Sequence, residues 1–111
     1  MNKSETILKK TESLMVDKDF RGALKYIESK SLEISKKDYY YLKSVLYRYL
    51  NKKNEALLCL DKLIQIEPTY GRAFQEFGHN FINTDPGKSL KSYLRAVRHN
   101  PSLQASWLGI L

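Results

Sequence analysis

The chain of 111 residues is long enough for one small domain with a single hydrophobic core. Hydrophobic residues make up 42% of it and charged residues 28%, which is a globular balance and excludes an intrinsically disordered chain. We interpret the net charge of +7 as lysines on solvated surfaces; the alternative is an acidic partner, whether a peptide, a protein surface or a nucleic acid.

The single cysteine, Cys59, excludes an internal disulfide framework and a cysteine-based metal site. No apolar run approaches the roughly 20 residues that a membrane-spanning helix needs, and residues 1–10 lack the apolar stretch of a secretory signal. The sequence therefore predicts a cytoplasmic protein with no membrane segment, no metal and no cofactor.

Apolar residues recur at helical spacing along the whole chain, which predicts an all-α protein. The helices fall into pairs, at about 3–17 and 21–32, 36–50 and 55–66, and 70–83 and 86–99. In the second of these helices, Leu32 is expected to point inward with Ala23 and Ile27. The segment 103–111 then starts another helix that has no partner helix.

Helix boundaries are marked by two prolines and an aspartate. Pro68 ends the helix before it, because proline cannot continue the hydrogen-bond ladder and disfavours helical geometry at Glu67. Asp85 is expected to cap the next helix of the third pair. Pro86 suits the first helical position, where its missing N–H costs nothing.

A period of 33 residues runs through the sequence. It separates Pro68 from Pro101 and Phe74 from Trp107. The same interval separates three small residues, Ala23, Ala56 and Ser89, and the leucines that follow them, Leu24, Leu57 and Leu90. The small residues let the two helices of a hairpin approach closely, and the leucines are expected to fill the core. Self-similarity at this period is typical of stacked helical repeats.

These residues resemble the tetratricopeptide repeat (TPR), a helix-turn-helix unit of about 34 residues with a W-x2-L-G-x2-Y…A-x3-F…P signature. The third unit fits best, with Phe74, Phe77, Gly78, Phe81, Ser89, Tyr93, Ala96 and Pro101. The second unit matches through Tyr40, Ser44, Tyr47, Ala56, Leu60 and Pro68. In that unit Lys43 stands where leucine is usual. The weaker first unit carries Ile7, Leu14, Phe20, Ala23 and Ile27, and one residue is missing from the third turn, at 83–88.

The resemblance implies an all-α, right-handed superhelical array of antiparallel helix pairs that occupies the whole chain as one domain. The repeat units are expected at about 4–36, 37–70 and 71–103, followed by a partial fourth unit or capping helix at 104–111.

The resemblance also implies a protein–protein interaction module, an adaptor or scaffold, whose first helices line a concave groove for a peptide or a partner segment. The groove residues are expected to be Tyr41, Val45, Arg48, Tyr49, Arg72, Gln75, His79, Ile82 and Asn83.

Some TPR proteins hold the C-terminal carboxylate of a chaperone peptide in a clamp of lysine, asparagine and arginine. In this sequence most of the matching places are taken by Leu8, Glu12, Leu42 and Glu76. Arg72 is the one basic match, so the sequence argues against that specialised function while leaving Arg72 able to pair with an acidic group.

Catalytic and phosphate-binding chemistry find no support in the sequence. Gly87-Lys88-Ser89 lacks the earlier glycine and the strand of a phosphate-binding loop. His79 has Glu76 one turn away and nothing else is expected to converge there, so we interpret it as an exposed groove residue. Cys59 has no basic neighbour and is interpreted as an inert small hydrophobe.

Three alternatives remain open. The chain could be the N-terminal TPR part of a larger enzyme, such as a bacterial sulfotransferase-type transferase. It could bind nucleic acid, since Arg48 and Arg72 each stand beside aromatic residues, although several of those rings belong to the core pattern. Finally, the chain could form a homodimer through its apolar C-terminal helix, or Trp107 could dock onto the third hairpin and leave an exposed apolar surface. The residues of that helix are Trp107, Leu108, Ile110 and Leu111.

Overall fold

The computed structural model describes residues 2–111, and these contain seven α-helices and no strand. In chain order the helices α1 to α7 are Lys3–Val16, Phe20–Ser29, Lys36–Tyr49, Lys53–Ile66, Gly71–Phe81, Pro86–His99 and Gln104–Ile110. The predicted all-α class is confirmed.

Side-chain caps fix the start of four helices. At the N-termini of α1, α2, α3 and α6, the side chains of Asn2, Asp19, Ser35 and Asp85 each accept a hydrogen bond from a backbone N–H of the first turn. These bonds satisfy donors that the helix itself leaves without partners. Pro86 follows Asp85 at the first helical position, as the sequence predicts.

The turns of the first two hairpins each contain one residue with a positive φ angle. Lys18, between α1 and α2, has φ = 61°, and Asn51, between α3 and α4, has φ = 59°. The two residues are 33 positions apart, so the sequence period reappears as a left-handed residue at the same place in each turn. No described residue has a positive φ in the third turn, between α5 and α6. This difference agrees with the shorter spacing that the sequence shows there.

The described chain divides into two compact units, residues 2–59 and 60–111, and each is described by itself. The first unit is built around a buried cluster from α1, α2, α3 and the segment before α3. Its members are Ile7, Ala23, Ile27, Ile34 and Leu46. Ala23 is completely buried, as expected for a small residue where two helices approach closely.

Two leucines predicted to face the core do not do so. α2 ends at Ser29, three residues earlier than expected, and Leu32 therefore lies in the following turn and is fully exposed. Ile34, two residues later, enters the core instead. Leu90 is partly exposed on α6, whereas the adjacent Ser89 is buried. The prediction of an inward side chain was wrong at both leucines.

Lys43, in the first compact unit, occupies the usual leucine position of the second repeat by burying its stem and satisfying its charge. Its side chain is 14% exposed, and its Nζ lies 3.3 Å from Glu28 Oε2. The ammonium also donates to the Tyr39 hydroxyl at 3.2 Å and sits 4.9 Å from the centre of that ring. Burial lowers the pKa of Lys43, but the Tyr39 hydrogen bond, the neighbouring phenol oxygens and Glu28 outweigh it and raise the pKa above its ordinary value of 10.5.

The second compact unit, residues 60–111, is organised around Tyr93 of α6, which is 1% exposed. Gly78 of α5 and Gly109 of α7 contact opposite edges of its ring, and a β-carbon added to Gly78 would lie 2.5 Å from ring atom Cε1. A β-carbon on Gly109 would collide with the ring in the same way. A nearby bond from the Ser89 hydroxyl to the Gly78 carbonyl, at 2.9 Å, ties α6 to α5. Glycine is therefore required where α5 and α7 pack on Tyr93.

We predict that Lys43→Leu changes the free energy of unfolding by no more than about 1 kcal/mol at neutral pH, because an ion pair whose carboxylate is still hydrated contributes little to stability. Glu28 remains 43% exposed and stays hydrated without its partner. Since the folded protein raises the pKa of Lys43, its contribution is complete below pH 10.5 and is lost as the pH rises through the higher folded value.

Urea unfolding at neutral pH and above pH 10.5 checks this sign. Wild type should lose stability relative to Lys43→Leu at the alkaline pH. A growing advantage of wild type at that pH would contradict the assignment.

We also predict that Gly78→Ala destabilises the protein by about 1–3 kcal/mol or more, because the new methyl group overlaps the Tyr93 ring in a close-packed core. Gly87→Ala is the matched control, since its nearest contact would be Asp85 Oδ1 at an ordinary 3.7 Å. The control should leave stability unchanged or raise it by up to about 1 kcal/mol. Chemical denaturation of both variants measures the difference, and equal effects would be incompatible with the packing described.

Candidate binding surfaces

The predicted groove residues of α3 differ in how much surface they offer. Val45 is buried, and Tyr41 and Arg48 are half-buried, so the most accessible member is Tyr49. The Tyr49 ring stacks on Phe20 at a centroid distance of 4.8 Å, and the Arg48 guanidinium lies 4.7 Å from the centre of the Tyr49 ring. These contacts hold an aromatic and cationic surface in place on the first unit.

An apolar cleft that the sequence does not predict lies beside this stack. It has a volume of about 320 Å³ and is lined by Met15, Val16, Lys18, Phe20 and Tyr49. Val16 is exposed here. The left-handed Lys18 turn brings the end of α1 and the start of α2 together, a feature that apolar periodicity does not encode.

The five groove residues predicted in the third repeat lie on one side of α5 and the turn that follows it. We call Arg72, Gln75, His79, Ile82 and Asn83 the α5 face. Arg72, Ile82 and Asn83 are exposed, whereas Gln75 and His79 are half-buried. α5 ends at Phe81, so the last two residues lie in the turn and not in the helix that the sequence predicts to continue to 83.

The two central residues of the α5 face are held by neighbouring helices. The hydroxyl of Ser106, a fully buried residue of α7, donates to Gln75 Oε1 at 2.8 Å. The Tyr93 hydroxyl lies 2.7 Å from His79 Nδ1, and Glu76 Oε2 lies 3.8 Å from Nε2. The α5 face is therefore positioned before any partner arrives.

The expectation that only Glu76 would approach His79 was wrong, because the Tyr93 hydroxyl also converges there. A sequence signal for this contact exists. Tyr93 stands where the repeat signature has phenylalanine, and a buried tyrosine hydroxyl needs a hydrogen-bond partner.

Residues at the clamp positions offer little positive charge. Glu76 is 2% exposed, close to His79, and Glu12 is an exposed acid on the first unit. Leu8 and Leu42 are half-buried. Arg72 is exposed and is the basic member of the set, so the α5 face presents one guanidinium group beside amide, imidazole and aliphatic side chains.

The outward side of α7 is apolar. Trp107 is partly exposed and its indole N–H donates to the Pro101 carbonyl at 2.8 Å, while Leu108 and Leu111 are 71% and 96% exposed. Ile110 is half-buried. Self-association through this helix stays a prediction, and sedimentation velocity of wild type beside Leu108→Asp is the measurement that checks it.

Within 2–111 no group of three or more histidine, cysteine, aspartate or glutamate side chains could hold a metal ion. None of the helices in that range is long and apolar enough to cross a membrane. Cys59 is buried and forms no disulfide.

Two solved TPR domains are similar to this chain in structure. The TPR domain of Sgt2 from Aspergillus fumigatus has a TM-score of 0.83 at 15% identity, over 99% of this chain and 76% of that one. The first TPR domain of Spaghetti (RPAP3), bound to the HSP90 peptide SRMEEVD, has a TM-score of 0.79 at 14% identity, over 97% and 87%. No protein-family model and no curated protein matches the sequence. The predicted TPR fold is confirmed.

Proposed function

We propose that this chain, which has the TPR fold, is a protein-interaction module whose α5 face binds a peptide or an extended segment of a partner protein. The observation that carries the proposal is the fixed geometry of that face. Gln75 and His79 are held by Ser106 and Tyr93, respectively, while Arg72 stays exposed beside them. A surface whose side chains are already ordered loses less entropy when a ligand binds.

The chemistry of the α5 face supports a peptide ligand. Amide and imidazole groups can exchange hydrogen bonds with the N–H and C=O groups of an extended backbone. Ile82 adds an apolar contact at the C-terminal end of the α5 face. The Spaghetti domain bound to an HSP90 peptide supports the same class of ligand for this fold.

The spacing of Arg72 and Ile82 predicts a pattern in the ligand. Ile82 follows the last residue of α5 and keeps helical backbone angles, so the ten positions from Arg72 to Ile82 span about 15 Å. Four or five residues of extended peptide cover about the same distance. We infer a ligand with an acidic residue opposite Arg72 and an apolar residue about four or five positions away. The acidic side chain would form a charge-assisted hydrogen bond with the guanidinium group.

A free C-terminal carboxylate is not the proposed ligand. Most of the places that would hold it in a carboxylate clamp carry leucine or glutamate, and the carboxyl group of Glu76 lies within the same helix as Arg72, the one basic match. The proposal therefore concerns internal segments of a partner, and it assigns no catalytic role to these residues. The α3 surface around Tyr49 is a second candidate contact on the first unit.

We predict that peptides selected from a random display library by the full chain carry this acidic and apolar pattern. Arg72→Glu and Ile82→Asp should each weaken a selected peptide by roughly tenfold or more, because each removes a central contact. Arg21→Glu is the matched control, since Arg21 is exposed on α2, and it should change affinity by less than about twofold. Fluorescence anisotropy with a labelled peptide measures all four proteins.

The HSP90 peptide SRMEEVD is a second probe. We expect it to bind at least roughly tenfold more weakly than a selected peptide, because its terminal carboxylate meets no cationic clamp. Tight binding that requires this carboxylate would contradict the proposal. So would selected peptides that bind Arg72→Glu and Ile82→Asp as tightly as wild type.

A further inference from the structure

Positive charge is concentrated on one side of α6. From Pro86 to the last residue, Leu111, the sequence has four cations, Lys88, Lys91, Arg95 and Arg98, and no acidic residue. The steps between them are three, four and three residues, so they fall within about 80° of the helix circumference and extend over about 15 Å. All four are exposed, and we call them the basic stripe.

The charge of the basic stripe is not neutralised by the described chain, because no carboxylate of residues 2–111 forms an ion pair with it. Two of its members rest on aromatic rings. The Lys88 ammonium lies 4.7 Å from the centre of the Phe81 ring, and the Arg95 guanidinium lies 4.5 Å from that of Phe74. These contacts hold the cations at the surface while leaving their charge available to a partner.

An apolar cleft opens beside the basic stripe. Ile64, Phe74 and Phe77 supply its apolar lining, and its volume of about 240 Å³ has room for one large apolar side chain. Lys88, Lys91, Ser92 and Arg95 complete its walls. We call this the α6 cleft.

A second depression, of about 480 Å³, continues along the helix and shares Lys91 and Arg95 with the α6 cleft. Its other lining residues are Leu94, Arg98 and His99. Cationic and apolar groups therefore alternate along this side of α6.

The combination of the basic stripe and an apolar cleft favours an acidic peptide over a nucleic acid as the ligand. Proteins that bind single strands stack bases on accessible aromatic rings. Here the ring of Phe74 is buried under Arg95 and forms part of a cleft, so it offers no open platform. The exposed apolar groups beside the stripe are aliphatic, Leu90 and Leu94.

We propose that the basic stripe and the α6 cleft form a second docking surface, which binds an acidic amphipathic helix from a partner protein. An apolar side chain of that helix enters the α6 cleft, and its carboxylates pair with the four cations. Acidic residues three and four positions apart on the partner helix repeat at the same pitch as the stripe, about one turn or 5.4 Å. The surface uses none of the residues of the α5 face, so the two proposals stand or fall separately.

The test uses a labelled, end-blocked helical peptide of about 12 residues, with glutamates spaced to match the stripe and two leucines on the adjoining side. Fluorescence anisotropy measures its affinity for the full chain. Lys91→Glu with Arg95→Glu should weaken binding by roughly tenfold or more, because both depressions lose their shared cations.

Lys9→Glu with Lys25→Glu makes the same change in net charge at exposed positions of the first unit, and it should weaken binding by less than about threefold. Circular dichroism verifies that both double variants remain folded. Alanine in place of the two leucines of the peptide should weaken binding to wild type by roughly tenfold, since the apolar contact is lost.

Four outcomes would overturn the proposal. The peptide could show no binding at about 1 mM protein. The control variant could lose as much affinity as the stripe variant, which would indicate a general charge effect. The alanine peptide could bind as well as the leucine peptide, which would show that the α6 cleft takes no part in binding. A thymidine oligonucleotide of equal charge could bind more tightly than the peptide and lose that affinity in the stripe variant, which would make this a nucleic-acid surface.

Discussion

The ring of Tyr93 is the contact on which the second unit depends. It lies between Gly78 of α5 and Gly109 of α7, and a side chain on either glycine would collide with it. The same residue reaches His79 through its hydroxyl group, so one side chain both joins three helices and orients a residue of the α5 face. The packing of the helices and the geometry of the α5 face are therefore coupled, and a change at this contact should alter the position of His79.

The two units use different chemistry at related repeat positions. In the first unit the leucine position of the signature holds Lys43, which needs Glu28 and two tyrosine rings to accept its charge. In the second unit that position is Phe77, whose ring borders the α6 cleft. The helical hairpin tolerates both solutions because each fills the space, and no buried side-chain nitrogen or oxygen atom of the described chain lacks a hydrogen-bond partner.

Local sequence signals were sufficient for the fold and insufficient for the contacts between helices. The 33-residue period, Pro68 and the Asp85 cap predicted the helix pairs. They could not predict that Ser106 reaches Gln75, 31 positions earlier, because periodicity identifies the face of a helix and not its partner. Leu32 was wrongly predicted because α2 ends before it, and Leu90 because it lies on a partly exposed side of α6. The groove and self-association residues stay predictions, as do the transferase and nucleic-acid alternatives.

A double-mutant cycle between Gly78 and Tyr93 tests the central packing claim most directly. The free energy of unfolding is measured for wild type, Gly78→Ala, Tyr93→Leu and the double variant. If the ring is what excludes a side chain at Gly78, the alanine should cost much less when leucine replaces Tyr93, with a coupling energy of at least about 1 kcal/mol. Costs that add to within about 0.5 kcal/mol would show that Gly78 is required for some other reason, and the account of this unit would be wrong.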